Sequence, residues 1–95
     1  METEEIYERL KRVKEPITEM DVVSLGLVDK VIADEDGVRI YLHLSEGLRH
    51  PFQHALSWPV RWRIVRDIVD TLDDVAGLEI IDSRTLERYY PLEED

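Results

Sequence analysis

A strict alternation of apolar and polar residues after Asp36-Gly37 constrains the fold of this chain more than any other feature. The apolar positions of the alternating run are Val38, Ile40, Leu42 and Leu44. Because successive side chains of a strand point to opposite faces, this period predicts a strand with one apolar and one polar face. Asp36-Gly37 is typical of a hairpin turn, and the preceding run from Val28 to Asp34 predicts the partner strand. The sequence therefore predicts a hairpin whose apolar face must be buried by another element.

The first element that could pack on this face is a helix at the N-terminus. Thr3 is a residue type that caps helices, acidic residues follow it, and basic residues come at the other end, an arrangement that suits both ends of the helix dipole. The apolar residues of this segment recur at helical spacing and are Ile6, Leu10 and Val13. We expect the helix to end before Pro16, because proline lacks a backbone N–H and disfavours the helical conformation of the residue before it.

A second, longer helix is predicted to begin at Ser57-Trp58-Pro59, since serine caps helices and proline is tolerated in the first turn. Its apolar residues recur at helical spacing. They are Val60, Ile64, Ile68, Leu72 and Val75. We expect Gly77 to end this helix.

A third strand is predicted from Leu78 to Asp82, and Arg84 to Tyr90 could add a short edge strand. The second helix then joins the second and third strands as a crossover, which allows a parallel pair in the sheet. We expect an α+β two-layer sandwich in the order helix-strand-strand-helix-strand, with a small mixed sheet and both helices on one face. A length of 95 residues corresponds to a single domain over residues 1–95.

Composition argues against several classes of partner. The net charge of -10, from 22 acidic and 12 basic residues, repels nucleic acid and anionic lipid. We therefore expect no nucleic-acid partner and no membrane partner. No apolar run approaches the roughly 18 to 20 residues that cross a bilayer, and the N-terminus lacks a signal-peptide pattern, so we expect a cytoplasmic protein. The chain has no cysteine, and hence no disulfide, thiol nucleophile or thiolate ligand.

His50 and His54 are the candidate metal ligands. They stand four residues apart, so a helical turn opened by Pro51 would place both imidazoles on one face, where they could chelate a metal. Within the turn that Pro51 would open, no carboxylate or third histidine stands at a matching spacing, and ordinary loop histidines are the alternative. By parity His43 lies on the polar face of its strand, which favours a surface imidazole.

The start of the second helix carries the candidate partner-binding residues. Trp58 and Trp62 stand four residues apart, and Arg61 lies between them. Tryptophan and arginine are the residue types that most often contribute large binding energies at protein interfaces. The tryptophans could equally be core residues, and the charges of this helix could form a solvated face.

The segment from Glu15 to Val28 joins the first helix to the hairpin. A dense apolar run fills its second half, and Gly26 interrupts that run. A glycine inside a strand-like run suggests a bend, a bulge or a close backbone approach. The segment carries no catalytic motif.

This segment resembles the small iron–sulfur cluster assembly domain of SufT, of PaaD and of the N-terminus of some Mrp-type ATPases. In that family the segment runs Asp-Pro-Glu, several residues, then Ile-Val-Asp-Leu-Gly-Leu-Val. The matching positions here are Glu15, Pro16, Leu25, Gly26, Leu27 and Val28. The likeness extends from about Ile6 to Asp82, and it implies the predicted α+β fold, protein partners of iron–sulfur assembly, and a possible homodimer.

The chain departs from the family pattern at three places. Ile17 replaces the family's glutamate, and Ser24 replaces its usual aspartate. Where the family commonly has Cys-Pro before the main helix, this chain has His50-Pro51. That cysteine is the family's candidate cluster or thiol-exchange residue, so the resemblance implies at most transient iron, or a cluster shared with a partner that supplies the thiolates.

The resemblance and the departures from it lead to three hypotheses about function. The favoured one is an accessory protein-binding module of iron–sulfur maturation that performs no catalysis of its own and has no certain cofactor. The second is an acidic adaptor or structural domain that has lost the cluster role. The third is a small metal-dependent enzyme that uses His43, His50 and His54 with a carboxylate such as Glu46, which would require an open coordination position and a general base.

Overall fold

The computed structural model of the protein describes residues 2–16, 18–44 and 58–91. Its elements, in chain order, are helix α1 (Thr3–Leu10), strands β1 (Val28–Asp34) and β2 (Gly37–Leu42), helix α2 (Trp58–Thr71), and strands β3 (Leu78–Asp82) and β4 (Arg88–Tyr90). Within these ranges, neither helix has the length and apolar character needed to cross a membrane.

The four strands form one mixed sheet in the order β1-β2-β3-β4. The β1–β2 hairpin is antiparallel, β2 and β3 are parallel, and β3 and β4 are antiparallel. Helix α2 provides the crossover that a parallel neighbour requires. The predicted α+β class is therefore confirmed, and the short edge strand predicted between Arg84 and Tyr90 is present as β4.

One apolar cluster holds the two layers together. The inward residues of β2 alternate with exposed or half-buried ones, as the sequence predicts. The fully buried members of the cluster that come from the helices and the two central strands are Ile6, Leu10, Ile64, Ile68, Ile40, Leu42 and Ile80. Since both helices contribute to the same cluster, both cover the same face of the sheet, and the residues of the opposite face are largely polar.

Helix α1 is shorter than predicted. It ends at Leu10, well before Pro16, so the proline is not what ends it. Thr3 is its first residue rather than its cap, because Glu2 occupies the cap position and makes no side-chain hydrogen bond there. Val13 is buried as predicted but lies outside the helix, where its carbonyl accepts a hydrogen bond from the backbone N–H of Val22 at 3.0 Å.

Helix α2 also ends earlier than predicted, at Thr71. Leu72 and Val75 still contact the core from the turn that follows. Gly77 has a φ of 66° and begins the approach to β3, where its backbone touches that of Gly37. A Cβ built on Gly77 would lie 2.3 Å from the carbonyl oxygen of Asp36. The glycine is therefore needed for the close contact between the starts of β2 and β3.

Candidate functional site

The residues that carry the family resemblance begin with a small hairpin. Lys14 and Asp21 form an antiparallel bridge, and the backbone N–H of Glu15 donates to the carbonyl of Met20 at 2.9 Å. The Glu15 side chain is fully buried, and its Oε2 accepts from the backbone N–H of Thr18 at 2.8 Å. A buried carboxylate needs such donors, because an unsatisfied one would be costly. Glu15 therefore holds the tip of the hairpin in place.

One helical turn follows the hairpin, and Asp21 caps its start. Its Oδ2 accepts from the backbone N–H groups of Val23 at 3.1 Å and Ser24 at 3.0 Å. The hydrogen bonds from the side chain and backbone of Ser24 lower the pKa of Asp21. The backbone N–H of Leu25 donates to the Asp21 carbonyl, which closes the turn.

Gly26 ends the same turn in a left-handed conformation with a φ of 74°. Its N–H donates to the carbonyl of Val23, and that of Leu27 reaches back to the carbonyl of Val22 at 3.0 Å. This pair of bonds is the Schellman arrangement that commonly ends helices at glycine. The strand-like conformation expected for residues 22–26 is therefore not observed, because these residues form a hydrogen-bonded turn. The bend expected at Gly26 is observed, and the strand starts at Val28, as predicted.

The apolar residues of the family motif belong to the fold's interior. Leu27 is fully buried, and Leu25 and Val28 pack against the core. Glu15 and Gly26 set the backbone path, as described above. The apolar motif residues thus fix how the chain enters the sheet, and they offer little surface to a partner.

A polar cluster lies where β2 and β3 end and β1 begins. Asp29 Oδ1 is 3.1 Å from Nε2 of His43, and its Oδ2 accepts from the hydroxyl of Ser83. The Ser83 hydrogen bond, and then the nearby His43, lower the pKa of Asp29. The polar face predicted for His43 is observed, but sequence reasoning missed Asp29 and Ser83.

The connectivity of this cluster differs from that of a serine nucleophile site. In such a site a histidine lies between the serine and the carboxylate and accepts the hydroxyl proton. Here the Asp29 carboxylate lies between Ser83 and His43, so the hydroxyl donates to the carboxylate rather than to the imidazole. The arrangement ties three strand ends together without presenting an activated hydroxyl.

A groove of about 710 Å³ lies between α2 and β4. Val65, Val69 and Tyr89 contribute its apolar lining, and charged residues of α2 flank them. Trp62 is 38% exposed and stands edge-on to the ring of Tyr89, with 6.0 Å between the ring centroids. Trp62 is thus a surface residue rather than a core residue, and Tyr89 supports its ring.

Tyr89 is fixed below Trp62 by a buried carboxylate. Its hydroxyl donates to Oδ1 of Asp82 at 3.1 Å, and Oδ2 of Asp82 accepts from the backbone N–H groups of Arg84 and Thr85. Burial, followed by the charge of Asp82, raises the pKa of Tyr89 above its ordinary value. Asp82 therefore orders both the β3–β4 turn and one wall of the groove.

The remaining predicted site residues have different outcomes. His50 and His54 lie outside the described residues, as does the side chain of Trp58. Arg61 is half-buried on α2, near enough for its charge to act on Tyr89. Among residues 2–16, 18–44 and 58–91, no group of three histidine or carboxylate side chains is arranged to hold a metal ion.

A crystal structure of a domain of unknown function, DUF59, from Bacillus anthracis is similar to this chain. The TM-score is 0.59 at 21% sequence identity, and the match covers 97% of this chain and 78% of that one. No protein-family model matches the sequence, and no curated protein matches it either. At this level of identity, the likeness shows a shared fold along nearly the whole chain.

Proposed function

We propose that the chain is an accessory protein-binding module of iron–sulfur cluster assembly that performs no catalysis of its own. The observation that carries this proposal is the fold shared with the DUF59 domain over 97% of the chain. That fold is the one implied by the resemblance of the segment from Glu15 to Val28 to SufT and PaaD.

The residues of the chain do not fit a resident cluster. Iron–sulfur clusters are held mainly by cysteine thiolates, and these 95 residues contain none. We therefore propose that any iron or cluster is handled as cargo shared with a partner that provides the thiolates. His50 stands in the place of the family's cysteine, so it is the residue of this chain that we expect nearest to that cargo.

The groove between α2 and β4 supports a binding role. Trp62 is exposed next to Arg61 in the chain, and its ring stands edge-on to Tyr89, whose hydroxyl is held by Asp82. Aromatic and arginine side chains held in this way are typical anchors of protein interfaces. We propose that Arg61 and Trp62, together with Trp58, contact the protein partner.

Anaerobic reconstitution with iron and sulfide tests the proposal, with and without purified iron–sulfur scaffold proteins. We expect co-elution with a scaffold during size-exclusion chromatography, and cluster absorbance in the chain's fractions only when the scaffold is present. Trp62→Ala should weaken the co-elution. Leu86→Ala is the matched control, because Leu86 is 67% exposed and does not line the groove. An equal loss of co-elution in both variants, or the absence of a complex with any scaffold, would contradict the proposal.

The lack of cysteine also favours a second candidate, an acidic adaptor or structural domain without a cluster role. Both candidates predict protein binding, so the identity of the bound proteins separates them. Co-purification with scaffold or target iron–sulfur proteins supports the first candidate. Stable complexes that contain only proteins without clusters support the second.

A further inference from the structure

The turn between β1 and β2 contains the pair Asp36-Gly37, which is chemically reactive in an unfolded chain. The backbone nitrogen of the residue after an aspartate can attack the Cγ of that aspartate. The attack closes a five-membered succinimide ring and releases one water. A side chain on the attacking residue hinders this approach, and glycine has none. Asp36 is the one aspartate of the sequence that is followed by glycine.

The succinimide ring opens again by taking up one water at either of its two carbonyl carbons. Water at Cγ breaks the new bond and restores aspartate. Water at the main-chain carbonyl carbon breaks the original peptide bond, so the chain then runs through Cβ and Cγ as isoaspartate. The mass of the protein is unchanged, and the reaction needs neither an oxidant nor a reductant.

Asp34 holds the attacking nitrogen in the folded turn. Its Oδ1 accepts hydrogen bonds from the backbone N–H groups of Asp36 at 2.9 Å and Gly37 at 3.1 Å. The Gly37 nitrogen must lose its proton before it can attack. A hydrogen bond to a carboxylate disfavours that loss, because the resulting anion would face a negatively charged oxygen.

We infer that Asp36-Gly37 is a site of spontaneous conversion to isoaspartate, and that Asp34 restrains the conversion while the turn is folded. Asp82 is followed by serine, the next smallest residue after an aspartate in this sequence. However, Asp82 is buried, and both of its carboxylate oxygens accept hydrogen bonds. Asp36 is exposed, and no hydrogen bond or ion pair within residues 2–16, 18–44 and 58–91 engages its carboxylate.

The conversion would disturb the contact between the starts of β2 and β3. In isoaspartate the main-chain carbonyl of Asp36, which lies against Gly77, becomes a free carboxylate, and the chain gains one carbon before Gly37. There is no space for an added carbon here, since a Cβ built on Gly37 would lie 2.2 Å from the carbonyl oxygen of Gly77. We therefore expect isoaspartate to weaken the hydrogen bond from the N–H of Val38 to that oxygen. The inference does not depend on the proposed function.

Incubation of the 95-residue chain at neutral pH, followed by digestion with trypsin, tests the inference. Trypsin cleaves after Lys30 and Arg39, so the turn is released within the peptide of residues 31–39. An isoaspartyl-specific carboxyl methyltransferase labels isoaspartate in that peptide, and chromatography separates the two forms. The sequence contains no asparagine, so deamidation adds nothing to the signal. Asp36→Glu should abolish the signal, because glutamate would have to close a six-membered ring, which is much slower.

The rates in folded variants test the role of Asp34. We expect slow conversion in the wild type and about tenfold faster conversion in Asp34→Ala, the change expected when a hydrogen bond to a charged group is lost. Glu35→Ala removes an exposed neighbouring carboxylate, and Glu15→Ala weakens the fold elsewhere, so both should keep the wild-type rate. Urea denaturation shows whether each variant is folded.

The wild type unfolded in guanidinium chloride provides the rate without any turn, which should equal or exceed that of Asp34→Ala. Three results would overturn the inference. They are the absence of isoaspartate from residues 31–39 of the unfolded wild type, a signal that persists in Asp36→Glu, and an Asp34→Ala rate no higher than that of the folded wild type. Equal rates in the folded and unfolded wild type would also overturn it.

Discussion

Gly37 and Gly77 show how single residues set the sheet. Their backbones meet where β2 and β3 begin, and Val38 donates its N–H to the carbonyl of Gly77 at 3.2 Å. A Cβ on Gly37 would lie 2.2 Å from that carbonyl oxygen. Because side chains cannot be accommodated at this distance, the parallel pair depends on both glycines.

Comparison of Gly77→Ala with Gly26→Ala should separate steric overlap from backbone strain. Both residues have positive φ, but a Cβ at Gly26 would meet nothing within 4 Å. We expect Gly26→Ala to lower the free energy of unfolding by about 1 kcal/mol, and Gly77→Ala to lower it by more than about 2 kcal/mol. Urea denaturation measures both, and equal losses would show that the close contact contributes nothing.

Glu15 provides a second prediction at the residue scale. Glu15→Ala leaves the half-buried N–H of Thr18 without the acceptor that it has at 2.8 Å. We expect the free energy of unfolding to fall by about 1 to 3 kcal/mol, and by less in Glu15→Gln, which keeps one carbonyl oxygen. The exposed Glu35→Ala is the control and should be nearly neutral. A loss in the control as large as that in Glu15→Ala would argue against a specific role for the buried carboxylate.

At the scale of elements, periodicity predicted the strands better than the helix ends. The predicted limits of β1 and β3 are the observed ones, because alternation and turn residues bound short strands closely. Apolar spacing continues past both helices, since Val13 and Val75 contact the core from turns. The helical turn after Asp21 was missed, although an aspartate followed five residues later by glycine was an available signal for a cap and a stop.

The cap of this turn should make stability depend on pH. The pKa of Asp21 in the folded protein lies below its ordinary value of 3.8. The ionised Asp21 side chain therefore contributes its full share to the free energy of unfolding above about pH 4. That share is lost as the pH falls through the lower pKa that Asp21 has in the folded protein. We expect the free energy of unfolding of the wild type to exceed that of Asp21→Asn by about 0.5 to 1 kcal/mol at pH 7. This difference should shrink at about pH 3. Denaturation at both pH values measures this, and a constant difference would contradict the role of charge.

At the scale of the whole molecule, the polar cluster around Asp29 and the groove beside Trp62 could not be predicted, because they depend on the order of the strands in the sheet. Asp29 and Ser83 meet only because β1, β2 and β3 lie side by side, and their order could not be read from periodicity. The exposed position of Trp62 likewise depends on Tyr89 reaching it from the edge strand. The fold class needed only local patterns and a crossover rule, which is why it was predictable.

The net charge of -10 should make the whole molecule sensitive to salt. Surface ion pairs such as Lys11 with Glu8 contribute little each, so screening of overall repulsion should dominate. We expect the melting temperature to rise between about 0.05 and 0.5 M sodium chloride, over which the screening length falls severalfold. Differential scanning calorimetry measures this. A falling melting temperature would mean that the ion pairs outweigh the repulsion.

The parallel pairing of β2 with β3 has a practical consequence for dividing the chain. A cut between Leu44 and Trp58 leaves α1 with the β1–β2 hairpin on one peptide, and α2 with β3 and β4 on the other. Each peptide carries only part of the apolar cluster, while the β2–β3 hydrogen bonds and the buried side chains connect the two. Such halves are suited to fragment complementation, in which each stays unfolded alone and both acquire structure when they are combined.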